Sequence, residues 1–187
     1  MRIISGNHRG KKILQPEDRN TRPLKDLTKE SIFNIIKHSN LLNIKIEKSN
    51  ILDLFSGVGS FGLESLSRGA SYVTFFENYA GVLPLLKKNI IKLNYQNESE
   101  IIEKSIFDED TLTITSKKID IIFIDPPYKE KNLHKLLEKI IKLKLLKKNG
   151  IFIIHRHKKE NNEFPKKFKI IKTVSYGVSK IIFGSGS

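Results

Sequence analysis

The 187-residue chain has no cysteine, and that absence removes disulfide staples, cysteine–zinc sites and cysteine nucleophiles together. It suits a reducing compartment. No apolar run approaches the roughly 18 residues that span a bilayer, and Met1-Arg2-Ile3 opens no signal-peptide pattern. A cytoplasmic protein with no membrane partner is expected. No internal repeat is visible, and no linker is long enough to separate two large domains. Arginine is scarce although the chain is strongly basic: 34 Lys+Arg against 20 Asp+Glu leave a net charge of +14. An excess of that size points to a polyanionic partner. Stretches such as Lys87-Lys88-Asn89-Ile90-Ile91-Lys92 are equally solvated faces of a lysine-rich chain, so the few arginines carry more weight than the lysines. His8, His38, His134, His155 and His157 form no spaced metal motif. His155 and His157 share a strand face but lack a third ligand, so no metal is expected.

The length accommodates one α/β domain with a sizeable core. From Asn50 onward strand and helix patterns alternate, with strands near 51–55, 72–77, 100–104, 119–124 and 151–156 and helices near 60–68, 79–94 and 131–146. Such alternation predicts a mostly parallel sheet covered on both faces. Phe168–Val174 and Val178–Phe183 flank Ser175-Tyr176-Gly177 and predict an antiparallel hairpin that closes the sheet. Ahead of the sheet, residues 26–37 predict a helix with Leu27, Ile32, Phe33, Ile35 and Ile36 on its apolar face. Residues 1–16 read as a short hairpin whose polar side carries Arg2, His8, Arg9, Lys11 and Lys12. The expected organisation is an N-terminal extension over 1–20, a main domain over 21–183, and a Gly-Ser tail over 184–187 excluded from the fold.

Two motifs carry chemistry. Ile51-Leu52-Asp53-Leu54-Phe55 reads as a strand and runs into Ser56-Gly57-Val58-Gly59-Ser60-Phe61-Gly62, where Gly57, Gly59 and Gly62 have the G-x-G-x-x-G spacing ahead of a helix. Glu77 ends the next strand, about 20 residues past the loop, where a ribose partner is expected. Read literally this is a nicotinamide dinucleotide fingerprint. Asp53 opposes that reading, because a carboxylate beside the helix N-terminus repels a pyrophosphate. S-adenosylmethionine has no phosphate and carries an ammonium and a sulfonium, so the acidic residue favours it. Asp53 as a helix cap and Glu77 as a solvated strand end remain open.

The second motif is Asp125-Pro126-Pro127-Tyr128, at the end of the apolar run Ile119–Ile124. Asp125 can accept hydrogen bonds from an NH2 group, Pro126 brings a carbonyl and no N–H, and Tyr128 offers a face for a base to stack on. An exocyclic amine is a poor nucleophile whose lone pair is delocalised, and such a receptor can hold and aim it. Asp-Pro-Pro is also an ordinary exit from a strand into a loop. In a doubly wound sheet both motifs fall at strand carboxyl ends beside the switch point, where such folds bind ligands.

Asp53 through Glu64, then Ser67-Arg68-Gly69-Ala70, then Asp125–Tyr128 resemble the bacterial family that methylates N2 of a guanine in 16S ribosomal RNA. Met1–Gly6 with Arg9–Lys12, and Thr21-Arg22-Pro23 through Asp26 to Asn34, resemble it too. The glycine and Asp-Pro-Pro-Tyr motifs mark amino-methyltransferases in general, whereas the N-terminal segments are particular to this family. The resemblance implies a class I, Rossmann-like methyltransferase fold with a seven-stranded sheet, S-adenosylmethionine as donor, and 16S RNA, in the small subunit or an assembly intermediate, as partner. It implies a cofactor site of Asp53, Phe55, Ser56, Gly57, Gly59, Glu77, Asn78, Ser105, Ile106 and Asp108, with adenine left to either Ser105 or Asp108. It implies catalysis by Asp125, Pro126, Pro127 and Tyr128, and RNA contacts from Arg2, His8, Arg9, Lys11, Lys12 and Arg22. Departures from the family pattern are Asn78-Tyr79 after Glu77, Leu24 after Pro23, and His155-Arg156-His157 where an acidic residue is usual. A monomer with no obligate protein partner is expected.

Rival readings are an adenine-N6 DNA methyltransferase, for which the chain has little spare length, and a glutamine methyltransferase, which more often carries Asn in place of Asp125. An NAD-dependent dehydrogenase leaves Asp53 and Asp125 unexplained. A non-catalytic RNA-binding or assembly protein of the same fold is the alternative outside enzymology.

Overall fold

The computed structural model describes residues 1–16, 24–108, 111–114, 118–127 and 129–186. Seven strands form one sheet: β1 (Asn50–Leu54), β2 (Tyr72–Phe76), β3 (Ser99–Ile102), β4 (Ile119–Ile124), β5 (Leu146–His157), β6 (Phe168–Tyr176) and β7 (Ser179–Gly186). Their order is β3-β2-β1-β4-β5-β7-β6. The first five run parallel, and β7 lies antiparallel between β5 and β6. The chain builds outward from β1 to β3 and then restarts at β4 on the other side of β1. The order therefore reverses between β1 and β4, and the crevice beyond their carboxyl ends is the switch point of the doubly wound sheet.

Helices cover both faces. Ile51, Phe75, Phe123 and Ile153 pack with α1 (Asp26–His38), α2 (Ser60–Ser67) and α3 (Leu83–Lys92). Leu52, Phe76, Ile122 and Ile154 pack with α4 (Leu133–Lys142). The alternation is the two-residue period of a strand buried on both sides. Leu133, Leu136, Leu137 and Ile140 give α4 its apolar stripe. Phe61 of α2 stacks between Phe33 of α1 and Phe123 of β4, at centroid distances of 5.1 and 4.0 Å. Among the described residues, no helix is long and apolar enough to cross a membrane.

Three expectations are corrected. The buried face of α1 runs through Thr28, Lys29, Ile32, Phe33 and Ile36, while Leu27 is 69% exposed. Lys29 is inside because it has an ionic partner, described below. The supposed tail is strand: Gly184 pairs with Phe152 and Ile170, Ser185 with Lys169 and Gly186 with Phe168. Its glycines permit close packing, since a Cβ at Gly184 would lie 2.3 Å from the Phe168 ring. β5 begins at Leu146, five residues ahead of its expected start at 151, because Leu146 already pairs with Ile119 of β4 ahead of a register shift, while the exposed Lys147, Lys148 and Asn149 that follow read as loop in the sequence.

The N-terminal hairpin closes through one bridge, Arg2 to Lys12, with Ile3 N donating to Lys11 O and Gly10 N to Ile3 O. It is docked rather than appended. The amides of Ile4 and Ser5 donate to the Glu64 carboxylate of α2 at 2.7 and 3.0 Å. Glu64 is fully buried with Lys29 at 3.4 Å and Arg68 at 2.8 Å, and Lys29 Nζ donates back to Arg2 O at 2.7 Å. Burial pulls the Lys29 pKa down, opposed by Glu64 and Asp26. The second hairpin arm is held by buried Asn89 of α3, which accepts from Leu14 N at 2.8 Å and donates to Leu14 O and to Val58 O of the glycine loop.

Candidate active site

β1 is stopped by Phe55, whose φ of +59° puts a bulky residue in the left-handed region. Such a backbone costs about 1–3 kcal/mol. The turn is fastened by Ser56, which donates from N to Phe76 O at 3.0 Å and from Oγ to Asp53 O at 2.6 Å. Ser56 thus stitches β1 to β2 through its hydroxyl and its amide. Gly57 follows at φ +56°, with open space where a Cβ would stand. That is the position where the backbone can approach a ligand closely. Gly62 serves packing instead: a Cβ there would sit 2.3 Å from the Phe75 ring.

Two carboxylates frame the loop. Asp53 is buried, and its Oδ2 accepts the Gly62 N–H at 2.9 Å, in the first turn of α2. It therefore caps the helix and lines the cavity as well. Burial raises its pKa well above the usual carboxylate range; the Gly62 bond opposes this, and the charges of Asp125 and Glu77 add to it. Glu77 accepts from Gly57 N at 2.7 Å, Asn78 N at 2.9 Å and Tyr79 N at 2.8 Å. It is an organised strand end, not a solvated one. A carboxylate offers about four lone-pair sites, so acceptor capacity is left for a further donor.

The opposite wall is the end of β4. Asp125 N donates to Leu54 O at 3.4 Å, and Asp125 Oδ1 lies 2.8 Å from His155 Nδ1 of β5. Pro126 is buried and lines the cavity with Pro127. Buried Arg156 holds the loop beyond, donating to Pro127 O at 3.4 Å and to Glu130 O at 3.2 Å. The third wall follows β3, where Ser105, Ile106 and Phe107 line the cavity and Phe107 faces Phe55 at 6.2 Å between ring centroids.

These walls enclose about 570 Å³, a volume suited to a nucleoside-sized ligand. Of the residues expected to bind a cofactor, Asp53, Phe55, Ser56, Gly57, Glu77, Asn78, Ser105 and Ile106 line it. Gly59 shapes the turn behind it, at φ +85° and packed on Leu86 and Leu63. Asp108 is exposed outside it, and its carbonyl accepts from Lys139 Nζ at 2.6 Å. Asp125, Pro126 and Pro127 line it, while Tyr128 and Arg22 lie outside the described residues.

The hairpin reaches the same place. Met1 and Pro16, at the ends of its arms, line the cavity with Leu24. Arg2, Arg9, Lys11 and Lys12 are exposed. His8 packs edge-on against Tyr95 at 5.1 Å, and burial, with the charge of Lys11, lowers its pKa. That environment disfavours its charged form.

Sequence reasoning missed Ser60 and His155. Ser60 Oγ is buried on the cavity wall with no hydrogen-bond partner among the described residues. Its place at the start of α2, just past the glycine loop, was the available signal. His155 was legible only through topology: the pairing of Ile124 with Ile154 sets it beside Asp125.

A family model described as "Conserved hypothetical protein 95" matches residues 1–185. The chain belongs to that family. It is 34% identical over 185 residues to the ribosomal RNA small subunit methyltransferase D of Buchnera aphidicola subsp. Baizongia pistaciae, covering 95% of this chain and 90% of that one. Among solved structures, the Escherichia coli protein yhhF, described as a candidate methyltransferase, superposes with a TM-score of 0.80 at 23% identity, over 100% of this chain and 97% of that one. An RNA methyltransferase from Salinibacter ruber, solved with S-adenosyl-L-homocysteine, superposes with a TM-score of 0.64 at 12% identity, over 87% and 92%. The fold is that of the class I methyltransferases.

Proposed function

We propose that this protein transfers a methyl group from S-adenosylmethionine to the exocyclic N2 amine of a guanine in 16S ribosomal RNA of the small subunit. The observation that carries this reading is the meeting of the Asp53–Glu77 wall and the Asp125-Pro126 wall in one cavity at the switch point. The name of the Buchnera relative supports the RNA and the subunit. The ligand of the Salinibacter structure supports the donor.

The residues present fit that donor. Asp53 and Glu77 favour a cation and oppose a pyrophosphate, Glu77 can take ribose hydroxyls, Gly57 permits close approach, and the Ser60 hydroxyl, which has no hydrogen-bond partner among the described residues, suits a polar tail. When bound, the donor supplies an electrophilic methyl group on a sulfonium. The chain's task is then to present the amine. Guanine sets N1–H and N2–H2 side by side, and Asp125 with the Pro126 carbonyl can accept from them, which localises the N2 lone pair and aims it. Positioning is the main catalytic contribution. As the new C–N bond forms and the methyl–sulfur bond breaks, N2 acquires a positive charge, and one of the hydrogens it already carries passes to Asp125 or water. The base must leave its stack or pair to enter, and the hairpin, whose arm ends Met1 and Pro16 line the cavity, carries exposed Arg2, Arg9, Lys11 and Lys12 that can hold phosphates of the surrounding RNA.

The test is transfer of labelled methyl from S-adenosylmethionine to unmethylated small subunits, naked 16S RNA and duplex DNA, followed by nucleoside analysis. N2-methylguanosine from the subunit or its RNA is expected. N6-methyladenine in DNA would keep the site and overturn the substrate. Cofactor binding without transfer to any of the three would replace the reading with a binding or assembly role.

A further inference from the structure

We propose that His155 is the positioning residue for Asp125 and that Ser179 locks His155 in the tautomer this requires. The inference rests on the reading of the cavity as an amine-binding site. His155 Nδ1 lies 2.8 Å from Asp125 Oδ1, and His155 Nε2 lies 3.0 Å from Ser179 Oγ. His155 and Ser179 are 7% and 4% exposed, so water does not compete for these bonds.

Hydrogen-bonding capacity fixes the direction of the chain. An ionised carboxylate only accepts, so Nδ1 carries the hydrogen. In the neutral imidazole Nε2 is then a lone pair and needs a donor. Ser179 Oγ–H is that donor, and it selects the Nδ1–H tautomer. Ser, His and Asp bonded in this order also make a nucleophilic triad, but in a triad the serine faces the substrate. Here the serine is buried behind the histidine, and the carboxylate is the member with 22% of its side chain exposed. Asp125 and His155 line the cavity, whereas Ser179 does not. The chain of bonds therefore serves Asp125. It pins the carboxylate through Oδ1 and leaves Oδ2 to take an N–H of the base.

The rest of the β5 end supports the same purpose. Arg156 holds the carbonyls of Pro127 and Glu130. Consecutive residues thus fix the carboxylate and the loop that follows it. Freezing an acceptor before the substrate arrives spares the reorganisation that a mobile carboxylate would need.

Two measurements test this. Long-range 1H–15N spectra of the histidines in the cofactor-free protein should show His155 protonated at Nδ1, with Ser179→Ala shifting it towards Nε2–H. An Nε2–H tautomer in the unaltered protein would overturn the proposal. Kinetically, His155→Ala should lower kcat about 10- to 100-fold, the range for one lost hydrogen bond to a charged group, with cofactor affinity unchanged. His155→Asn places an N–H near the Nδ1 position and should recover most of the rate; His155→Gln places it near Nε2 and should not. Equal recovery by both, or full activity of His155→Ala, would refute the positioning role. Should His155→Ala fail to fold, the comparison of Asn with Gln decides. Should the unaltered protein methylate no RNA, the proposed function fails, and the tautomer measurement still judges this inference.

Discussion

Glu64 is a residue outside the cavity whose removal should be costly. Its side chain and that of Lys29 have no exposed surface, and Arg68 is only 16% exposed. The carboxylate accepts from two hairpin amides and from Arg68 Nε, and faces Lys29. Glu64→Ala would leave a buried ammonium without its main counter-charge and two amides without an acceptor. Breaking a buried pair from one side costs about 3–5 kcal/mol. In a chain of this size 1 kcal/mol moves Tm by about 2–4 °C, so a fall of about 6–20 °C is expected by calorimetry. The loss should be local in origin: hydrogen exchange of Ile4 and Ser5 amides should accelerate first, while α4, on the other face of the sheet, keeps its protection. Adding Lys29→Met removes the stranded charge and should restore part of the loss. A Tm change below about 2 °C, unchanged protection at Ile4 and Ser5, or a double variant as unstable as simple addition requires would refute the view that this buried charge cluster docks the hairpin.

The remaining expectations concern the cavity and its rim. Asp125→Ala should abolish methyl transfer while calorimetric titration still shows cofactor binding; retained turnover would remove Asp125 from the amine-holding role. Burial raises the Asp53 pKa, so the folded state holds a proton the unfolded state has lost, and this residue's contribution to stability falls as pH rises from the ordinary carboxylate range through the raised value. A cationic ligand needs the ionised form, so its affinity should rise over the same window with release of a proton, measured by calorimetry in buffers of different ionisation enthalpy. Asp53→Asn should bind more weakly and without that pH dependence. Neutralising Arg9, Lys11 and Lys12 together should weaken RNA binding and flatten its salt dependence by about 0.7–0.9 in log–log slope per lost phosphate contact; an unchanged slope would take the hairpin off the RNA path.

The sheet was legible because parallel strands buried on both faces leave continuous apolar runs, and the cavity was legible because its two motifs are each contiguous in sequence. What escaped depends on partners far along the chain. Lys29 was absent from the expected buried face because nothing nearby announces Glu64, 35 positions on, as its counter-charge. Leu27 looked buried because a helical period allows neighbouring phases, and the ionic partner decided which one was taken. Asn89 sits in a lysine-rich stretch that reads as a surface face, yet it is 1% exposed and ties the hairpin to the glycine loop. The terminal Gly-Ser run reads as linker by composition, but its glycines are what let β7 pass under Phe168 and against Ile141 and Phe152. Each miss is a place where tertiary pairing overrode a local rule.

The charge distribution then has a functional logic. The chain carries +14 overall, yet the cavity is lined by Asp53, Glu77 and Asp125. A uniformly basic surface would draw a polyanion but would also repel a sulfonium donor from its pocket. A uniformly acidic pocket would be unstable, and the mutual effect of these carboxylates on Asp53 is that cost made visible. Backbone amides relieve it: Gly62 serves Asp53, and Gly57, Asn78 and Tyr79 serve Glu77. These amides come from the glycine loop, the start of α2 and the end of β2. The turn that allows close approach to a ligand therefore also supplies donors that keep an acidic pocket folded inside a basic protein. Asp125 has a side-chain donor instead, and His155 is the residue that provides it.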